Sequence, residues 1–575
     1  MKLLLLLVII WHLETPTSAH FDKKRTRFYN LTKERYFIDK THFLGEFFQK
    51  LNVSKHLYFF TIPHKFGKTI NAEMIRTFAD IELDGTNRRN PNDTQAYEIF
   101  SKLSIGKNET IMKDHLANHP VILFDLQIEC EKSWDSFFSS MQFYIKQIFS
   151  DYNFIYDLHK KNANATSDFQ LMDKVFNSEL NQNETSHSLK SLINIVGDFF
   201  NADVILLIDH YDFLVNYFSN SRQDIDRIYE LINGMIFHIF DEGVPLRNSF
   251  VFGVSDLMFP TPMKYHRNIS HFPFLGYNSA KYFGFTDVEL SSLYGKYKFT
   301  SEDAMKMKII FGDYISFERF KLYNPFSVVK FLNGVENENS SRFEIIQRKY
   351  CDQKDKFDII SSFMKSAEFR QTAILLLRHN RCNVGVINVF FESKNMFQII
   401  ENLKRNGSGV SFFDRDILSA HFFERGFIVP GFEENNSFMI PNLETDLDLR
   451  NKLKLFYMES KNMFVILQLL HVLKEIILCP SNAAVEIKQN LNRTMSELFE
   501  GLKQSEQRDF NHLDLIGIIY AFASDIDLWV FSQPIYNKIA FLKYENEHVM
   551  SDGEMLNQLT SVTSYYGSSV HIIMY

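Results

Sequence analysis

Five consecutive residues near the start of the chain have the types and spacing that bind phosphate. They combine two lysines, an aromatic residue, a glycine and a threonine: Lys65, Phe66, Gly67, Lys68 and Thr69. Backbone N–H groups at a glycine and a helix start can surround a phosphate, a lysine can neutralise its outer oxygens, and a threonine hydroxyl can bind Mg²⁺. The run therefore predicts the second half of a phosphate-binding loop (P-loop) that lacks its first glycine.

A second group of candidate residues follows an apolar run at positions 203–209. This run has the length of a buried parallel strand and ends at Asp209, with Asp212 three residues further on. Ligands bind at the carboxyl ends of parallel strands in open α/β sheets, so we expect Asp209 to hold the same Mg²⁺ as Thr69. The expected cofactors are ATP and Mg²⁺. We expect Asp212 to be a further residue that contacts the nucleotide.

The elements around these residues have the order that a phosphate-binding loop needs. Residues 56–61 form an aromatic, β-prone run, residues 63–69 are loop-like, and residues 70–81 carry apolar side chains at helical spacing. A further strand is predicted at 249–254. The pattern predicts an α/β fold, a P-loop NTPase-like parallel sheet with flanking helices, followed by a smaller helical or winged-helix-like region and a mostly helical C-terminal region.

Several motifs together resemble the AAA-ATPase-like family of predicted P-loop ATPases. Their order and spacing are similar to those of the family, and they lie at residues 36–41, 62–69, 207–212, 283–286 and 322–328. The resemblance extends over residues 36–332 and continues weakly to 426–427 and 440–442. It implies a nucleotide-binding ATPase domain in this part of the chain.

The chain departs from the family pattern at three positions that bear on catalysis. His210 stands where the family has a glutamate that orients or deprotonates the attacking water, and Ile62 and His64 stand where the family has arginines. A histidine can still accept a proton, but its shape and charge differ from those of glutamate. We expect a protein that binds Mg-ATP or ADP and hydrolyses ATP weakly or not at all. The alternative is a non-enzymatic binding protein, a pseudo-ATPase scaffold that no longer uses nucleotide.

The N-terminus and the sequons predict a secretory protein. An apolar run at 3–11 is followed by small residues before position 20, as in a signal peptide that is cleaved after Ala19. We expect a secreted protein, or one in the lumen of the secretory pathway, with no membrane span after cleavage. Eleven Asn-X-Ser/Thr sequons are candidate glycosylation sites: Asn30, Asn52, Asn92, Asn108, Asn164, Asn183, Asn268, Asn339, Asn406, Asn435 and Asn492.

The amino-acid sequence predicts four segments along the chain. They are a signal peptide at 1–19, a P-loop domain at 20–295, a helical or winged-helix-like lid at 296–445 that contains a hairpin at 426–441, and a mainly helical domain at 446–575. Cys351 with Cys382 is the expected disulfide, although the four cysteines are widely spaced. No Cys/His spacing of a zinc site is present in the sequence.

Other functional classes are disfavoured. The chain has 62 basic and 70 acidic residues, a net charge of −8, so nucleic acid is not an expected partner. Glu486 and Lys488 resemble a nuclease motif but fall in a predicted helix rather than on a strand. His115 and His119 have helical spacing, and we expect them to form a solvated helix end. The sequence does not identify the protein or surface that the chain binds.

Overall fold

The structure is a computed structural model, and it describes the following parts of the chain: residues 28–49, 55–131, 133–160, 166–214, 222–255, 268–276, 279–316, 320–337, 364, 367–379, 382–383, 422–431, 437–458, 493, 497 and 521. The chain divides into two compact units. The first consists of Met1–Asp352, Ile387–Gln398 and Ser419–Pro430, and the second of Gln353–Val386, Ile399–Leu418 and Gly431–Tyr575. The four predicted segment boundaries stay predictions.

A five-stranded parallel sheet forms the centre of the first unit. Its strands are β1 (His56–Thr61), β4 (Val121–Asp125), β5 (Val204–Asp209), β6 (Leu246–Gly253) and β7 (Ile269–Pro273). Their order across the sheet is β4-β5-β6-β1-β7, and each neighbouring pair is parallel. All six residues of β5 are buried, as expected for a strand covered on both faces. The predicted α/β, P-loop NTPase-like fold is confirmed.

Helices flank this sheet. They are α1 (His42–Gln49), α2 (Lys68–Ala79), α3 (Gln95–Phe100), α4 (Glu109–His115), α5 (Trp134–Ser150), α6 (Asn153–Lys160), α7 (Ser167–Asn177), α8 (Gln182–Phe200) and α9 (Arg222–His238). A short antiparallel pair, β2 (Leu83–Asp84) and β3 (Asn87–Arg88), follows α2. The helix predicted at 70–81 begins two residues earlier, at Lys68, because Gly67 completes the turn out of the loop.

Phenylalanine rings fill the core beside the P-loop strand. Phe60 on β1 stacks between Phe252 on β6 and Phe272 on β7, with ring centroids 5.2 and 5.0 Å apart. Phe47 of α1 packs edge-on against Phe60 at 5.3 Å and is fully buried. Such rings each remove about 150 to 250 Å² from water, so this aromatic layer fixes the strand from which the loop begins.

Short strands and helices complete the described part of the first unit. They are β8 (Phe285–Thr286), α10 (Asp287–Tyr297), α11 (Ser301–Phe311), β9 (Tyr314–Ile315), β10 (Lys321–Tyr323), α12 (Pro325–Asn337) and β12 (Val429–Pro430). Strands β8, β10 and β9 form an antiparallel sheet in that order. Thr286 and Glu289 close a capping box at the start of α10.

The described part of the second unit contains two helices and two short strands. They are α13 (Ala367–His379), β11 (Cys382–Asn383), β13 (Ser437–Met439) and α14 (Leu443–Met458). Strands β11 and β13 pair antiparallel. Both segments of the predicted hairpin contain a strand, β12 and β13.

Several predictions fall outside the described residues. These are the signal peptide at 1–19, Cys351, Glu486 and Lys488. Among the helices that the structure does describe, none combines the length and the apolar character needed to cross a bilayer.

Candidate functional site

The predicted phosphate-binding loop connects β1 to α2 at the carboxyl end of the sheet. Gly67, the residue before the helix, has a φ of 90°, and Lys65 has a φ of 70°. Both lie in the left-handed region that favours glycine. A side-chain carbon placed at Gly67 would meet no atom within 4 Å, so space is open beside the glycine. The first N–H groups of the 12-residue helix α2 begin here, as an anion site requires.

Lys68 lies buried at the start of α2 and bends back over the loop. Its Nζ donates hydrogen bonds to the carbonyl oxygens of Ile62 at 2.8 Å and Pro63 at 2.9 Å. The ammonium charge also acts on Asp209. The lysine is therefore held where the loop, the helix and β5 meet, and its two carbonyl contacts are neutral partners that an anion could replace.

Thr69 and Asp209, the two residues predicted to bind Mg²⁺, are brought together. The Thr69 side chain lies close enough to Asp209 to help lower the pKa of its carboxyl group. Asp209 is only 1 % exposed, and this burial raises the pKa of its carboxyl group above the usual value, against the opposing effects of His210, Thr69 and Lys68. A buried carboxylate gains from a nearby cation, and a hydroxyl and a carboxylate are hard oxygen ligands of the kind that Mg²⁺ prefers. The pair therefore fits a magnesium ion.

His210 follows Asp209 in a left-handed conformation, with a φ of 52°. Its backbone N–H donates to Asp209 Oδ1 at 2.9 Å, and its ring Nδ1 lies 2.9 Å from Asp125 Oδ1 and 3.6 Å from Asp209 Oδ2. Burial disfavours the charged ring, but the hydrogen bond to Asp125 and the charges of Asp209 and Asp125 outweigh it, so the pKa of His210 is raised. The histidine thus stands among carboxylates.

Asp125 is a site residue that the sequence analysis missed. It ends β4 and is the register partner of Asp209 on β5. Its Oδ1 also accepts a hydrogen bond from the Gln127 backbone N–H at 3.0 Å, and its own backbone N–H donates to the Tyr144 hydroxyl. The available signal was a carboxylate at the end of the apolar run 121–125, the pattern that identified Asp209.

Asp212 is directed to a neighbouring strand. Its Oδ1 accepts from the Val254 backbone N–H at 3.0 Å, and its Oδ2 accepts from the Ser255 N–H at 3.0 Å and the Ser255 hydroxyl at 3.2 Å. The side chain is buried. These bonds tie the segment after β5 to the end of β6, and the predicted nucleotide contact of Asp212 stays a prediction.

Phe66 and Lys65 contact aromatic residues that lie far along the sequence. The buried Phe66 ring packs edge-on against Phe274 at 5.0 Å and Tyr314 at 4.9 Å. Lys65 Nζ lies 5.3 Å from the ring centroid of Phe326. Phe66 therefore anchors the loop through its side chain, which leaves its backbone N–H as the group that could contact a phosphate.

Two further motifs meet the same loop. A side-chain carbon at Gly284 would lie 3.4 Å from Phe66, and one at Gly426 would lie 3.2 Å from Pro63. Both glycines have positive φ, 98° and 78°, so these close approaches use a conformation that glycine adopts easily. Arg425, beside Gly426, is close enough to His64 for its charge to disfavour protonation of the His64 ring. Separate stretches of sequence thus converge on the loop.

The motif at 36–41 connects the segment before α1 to other parts of the first unit. Asp39 Oδ1 accepts from the Thr41 N–H at 2.9 Å, and Asp39 Oδ2 accepts from the Ser104 N–H at 2.7 Å. Lys40 forms an ion pair of 2.7 Å with Glu289 on α10. These contacts fasten the segment before α1 to two distant parts of the unit.

The prediction for His115 and His119 was wrong. Both are buried instead of solvated, and His115 Nδ1 lies 2.9 Å from His119 Nε2. The cause is tertiary packing, since the Phe48 ring lies 5.2 Å from the His115 ring and covers the end of α4.

Five of the predicted glycosylation sites lie in the described part of the chain. Asn30, Asn92 and Asn183 are exposed, and Asn108 and Asn268 are partly exposed. The other six sequons lie outside the described residues. Glycosylation itself stays a prediction.

The comparison with known families supports the reading of these motifs. A family model described as "Predicted AAA-ATPase" (AAA-ATPase_like) matches residues 26–260, which include the loop, Asp125, Asp209 and His210. This match confirms the resemblance for the motifs at 36–41, 62–69 and 207–212, which lie within the matched residues. No curated protein matches the chain.

Proposed function

Since residues 26–260 belong to the AAA-ATPase-like family, we propose that this region binds Mg-ATP or Mg-ADP and hydrolyses ATP slowly or not at all. The observation that supports the proposal is the proximity of Thr69, in the first turn of α2, to the buried Asp209 carboxylate at the end of β5. Thr69 and Asp209 are the two residues that we expect to bind Mg²⁺.

The residues of the loop have separate roles in this proposal. Lys68 would give up its bonds to the Ile62 and Pro63 carbonyls and neutralise phosphate oxygens, and the backbone around Gly67 would surround them. Bound Mg²⁺ would supply charge neutralisation and orient the phosphate chain. The weak hydrolysis follows from His210, because the family's glutamate is absent.

Calorimetric titration with Mg-ATP and Mg-ADP tests the proposal. The native protein is compared with Lys68→Ala and with Lys102→Ala, a control at a lysine whose side chain is 70 % exposed. We expect binding to be lost in Lys68→Ala and retained in Lys102→Ala. Unchanged binding in Lys68→Ala, or no binding in the native protein, would contradict the proposal.

A second candidate is the non-enzymatic scaffold. It is favoured by the neutral, fully buried Ile62 in place of a family arginine, and by the carbonyl contacts that already satisfy Lys68. In that case neither nucleotide would bind, and a protein or surface partner would use the fold. The same titration separates the two candidates.

We also infer that the chain enters the secretory pathway. The apolar run at 3–11 and the exposed sequons at Asn30, Asn92 and Asn183 support this inference. Expression in animal cells, with N-terminal sequencing and glycosidase treatment of the product, tests it. We expect a mature N-terminus at His20 and a loss of mass on glycosidase treatment.

A further inference from the structure

His210 and Asp125 form a pair that the family pattern does not contain. The His210 Nδ1 to Asp125 Oδ1 distance is 2.9 Å, and the two residues lie at the ends of neighbouring parallel strands. An ionised carboxylate only accepts hydrogen bonds, so the ring hydrogen in this bond belongs to Nδ1. In the neutral form of the ring, the other nitrogen, Nε2, keeps its lone pair and can accept a hydrogen bond.

The carboxylate in this pair is itself held in place. Asp125 Oδ1 accepts from the Gln127 N–H at 3.0 Å, and the Tyr144 hydroxyl fixes the Asp125 backbone. Tyr144 lies on α5, and its ring packs against Phe124 at 5.5 Å. Contacts other than the histidine thus hold both the carboxylate and the backbone of Asp125. A residue that orients another side chain needs to be held in this way.

The pair is open to water on one side. The Asp125 side chain is 41 % exposed and that of His210 is 22 % exposed, whereas Asp209 beside them is almost fully buried. Among the described residues, Nε2 of His210 has no hydrogen-bond partner. Part of the His210 side chain is therefore exposed to solvent, while the contact with Asp125 fixes the orientation of its ring.

We propose that Asp125 positions the His210 ring so that Nε2 accepts a hydrogen bond from the water that attacks ATP, and that the pair takes the place of the family's glutamate. This inference rests on the proposed function. In the step, the water oxygen bonds to the γ-phosphorus, the bond from that phosphorus to the ADP oxygen breaks, and the water proton passes to an oxygen of the released phosphate. His210 orients the water and ends the step unchanged.

Two readouts on the full chain test the role of Asp125. The first needs no nucleotide: ¹⁵N NMR of histidine-labelled protein at about pH 9, where a free histidine ring is neutral, with His210 assigned from its loss in His210→Gln. We expect an Nδ1–H ring in the native protein and a shift toward Nε2–H in Asp125→Ala. Asp125→Asn retains an acceptor oxygen and should restore the native form. Glu129→Ala, at an exposed residue on the same segment, is the control.

The second readout is ATP hydrolysis. We expect kcat to fall about tenfold in Asp125→Ala while the Kd for Mg-ATP stays within about twofold. In a His210→Glu background the Asp125→Ala change should have no such cost, because glutamate needs no Nδ1 partner. An unchanged His210 spectrum in Asp125→Ala, or an equal loss of kcat in the His210→Glu background, would overturn the inference.

Failure of the proposed function is distinguishable from failure of this inference. Absence of Mg-ATP binding in the native protein would refute both the nucleotide site and the water-orienting role, whatever the spectrum shows. Normal binding with an Asp125-independent His210 spectrum would refute only the role of Asp125.

Discussion

Polar side chains at the two ends of the parallel sheet have pKa values that are shifted in opposite directions. At the carboxyl end, Asp125, Asp209 and His210 lie close together, and the environment raises the pKa values of Asp209 and His210. At the amino end, His115 and His119 precede β4 and bond to each other. Burial, with help from the charge of Arg247, lowers the pKa of His115 to about 4 and that of His119 to about 3.

This difference separates structural from functional polar groups. The two histidines at the amino end satisfy each other and stay neutral, so they need nothing from outside the protein. At the carboxyl end, a buried carboxylate can gain from a cation, and a lysine that donates to two loop carbonyls can gain from a phosphate. The comparison predicts that substitutions of Asp209 and Thr69 at the carboxyl end change nucleotide binding, while a substitution of His119 at the amino end changes only stability.

The largest effect is expected for Asp209→Ala. It removes a buried ligand of Mg²⁺, so we expect the affinity for Mg-ATP to fall about 30-fold or more, which corresponds to at least about 2 kcal/mol. Affinity for ATP in EDTA should change little. Asp203→Ala is the matched control, since this exposed aspartate lies just before the amino end of the same strand. Calorimetry with and without Mg²⁺ measures the effect, and equal losses in the two variants would remove the basis of the comparison.

Asp212→Ala tests whether Asp212, which also lies at the carboxyl end of the sheet, contributes to stability and not to nucleotide binding. The change leaves the Val254 and Ser255 donors without their acceptor, and we expect a destabilisation of about 1 to 3 kcal/mol. The folded protein should bind Mg-ATP with nearly native affinity. Thermal denaturation, followed by titration at a temperature where the variant is folded, checks both parts. A large loss of affinity in the folded variant would instead support the nucleotide contact predicted from the sequence.

The elements of the site were predictable because their signals are local. The continuous apolar run before Asp209 predicted β5, and the order of strand, loop and helix around Lys68 predicted the P-loop context and the family. Both signals depend on neighbours in the sequence. The same locality explains why the start of α2 was missed by only two residues.

Contacts between distant segments were not predictable in the same way. Asp125 meets His210 only because β4 and β5 pair in a register that aligns residues 84 positions apart in the chain, Asp125 with Asp209. His115 is buried because Phe48 of α1 packs on it, which helical spacing alone does not reveal. Asp212 has the spacing of a ligand, but its acceptor oxygens meet amides that follow β6. These outcomes depend on tertiary packing and strand register.

A smaller effect is expected for Thr69→Val, which keeps the shape of the side chain and removes its hydroxyl. The loss of one Mg²⁺ ligand should lower the affinity for Mg-ATP about tenfold. Thr69→Ser, the matched control, keeps the hydroxyl and should bind within about threefold of the native protein. If valine and serine bind equally well, the hydroxyl does not contribute to the cation site.

For His119→Gln, at the amino end of the sheet, we expect no change in the affinity for Mg-ATP. The lowered pKa values mean that the unfolded chain takes up protons on these histidines first as the pH falls. Their contribution to stability is therefore complete above about pH 6.5 and is lost progressively toward pH 4. Glutamine can keep a hydrogen bond to His115 but does not titrate. The two histidines together contribute part of the fall in apparent Tm between pH 7 and pH 4, and we expect His119→Gln to remove about half of that contribution. His159→Gln, at a partly exposed histidine on α6, should retain the native pH dependence. A change in Mg-ATP affinity at pH 7 in His119→Gln would show that the two ends of the sheet are coupled.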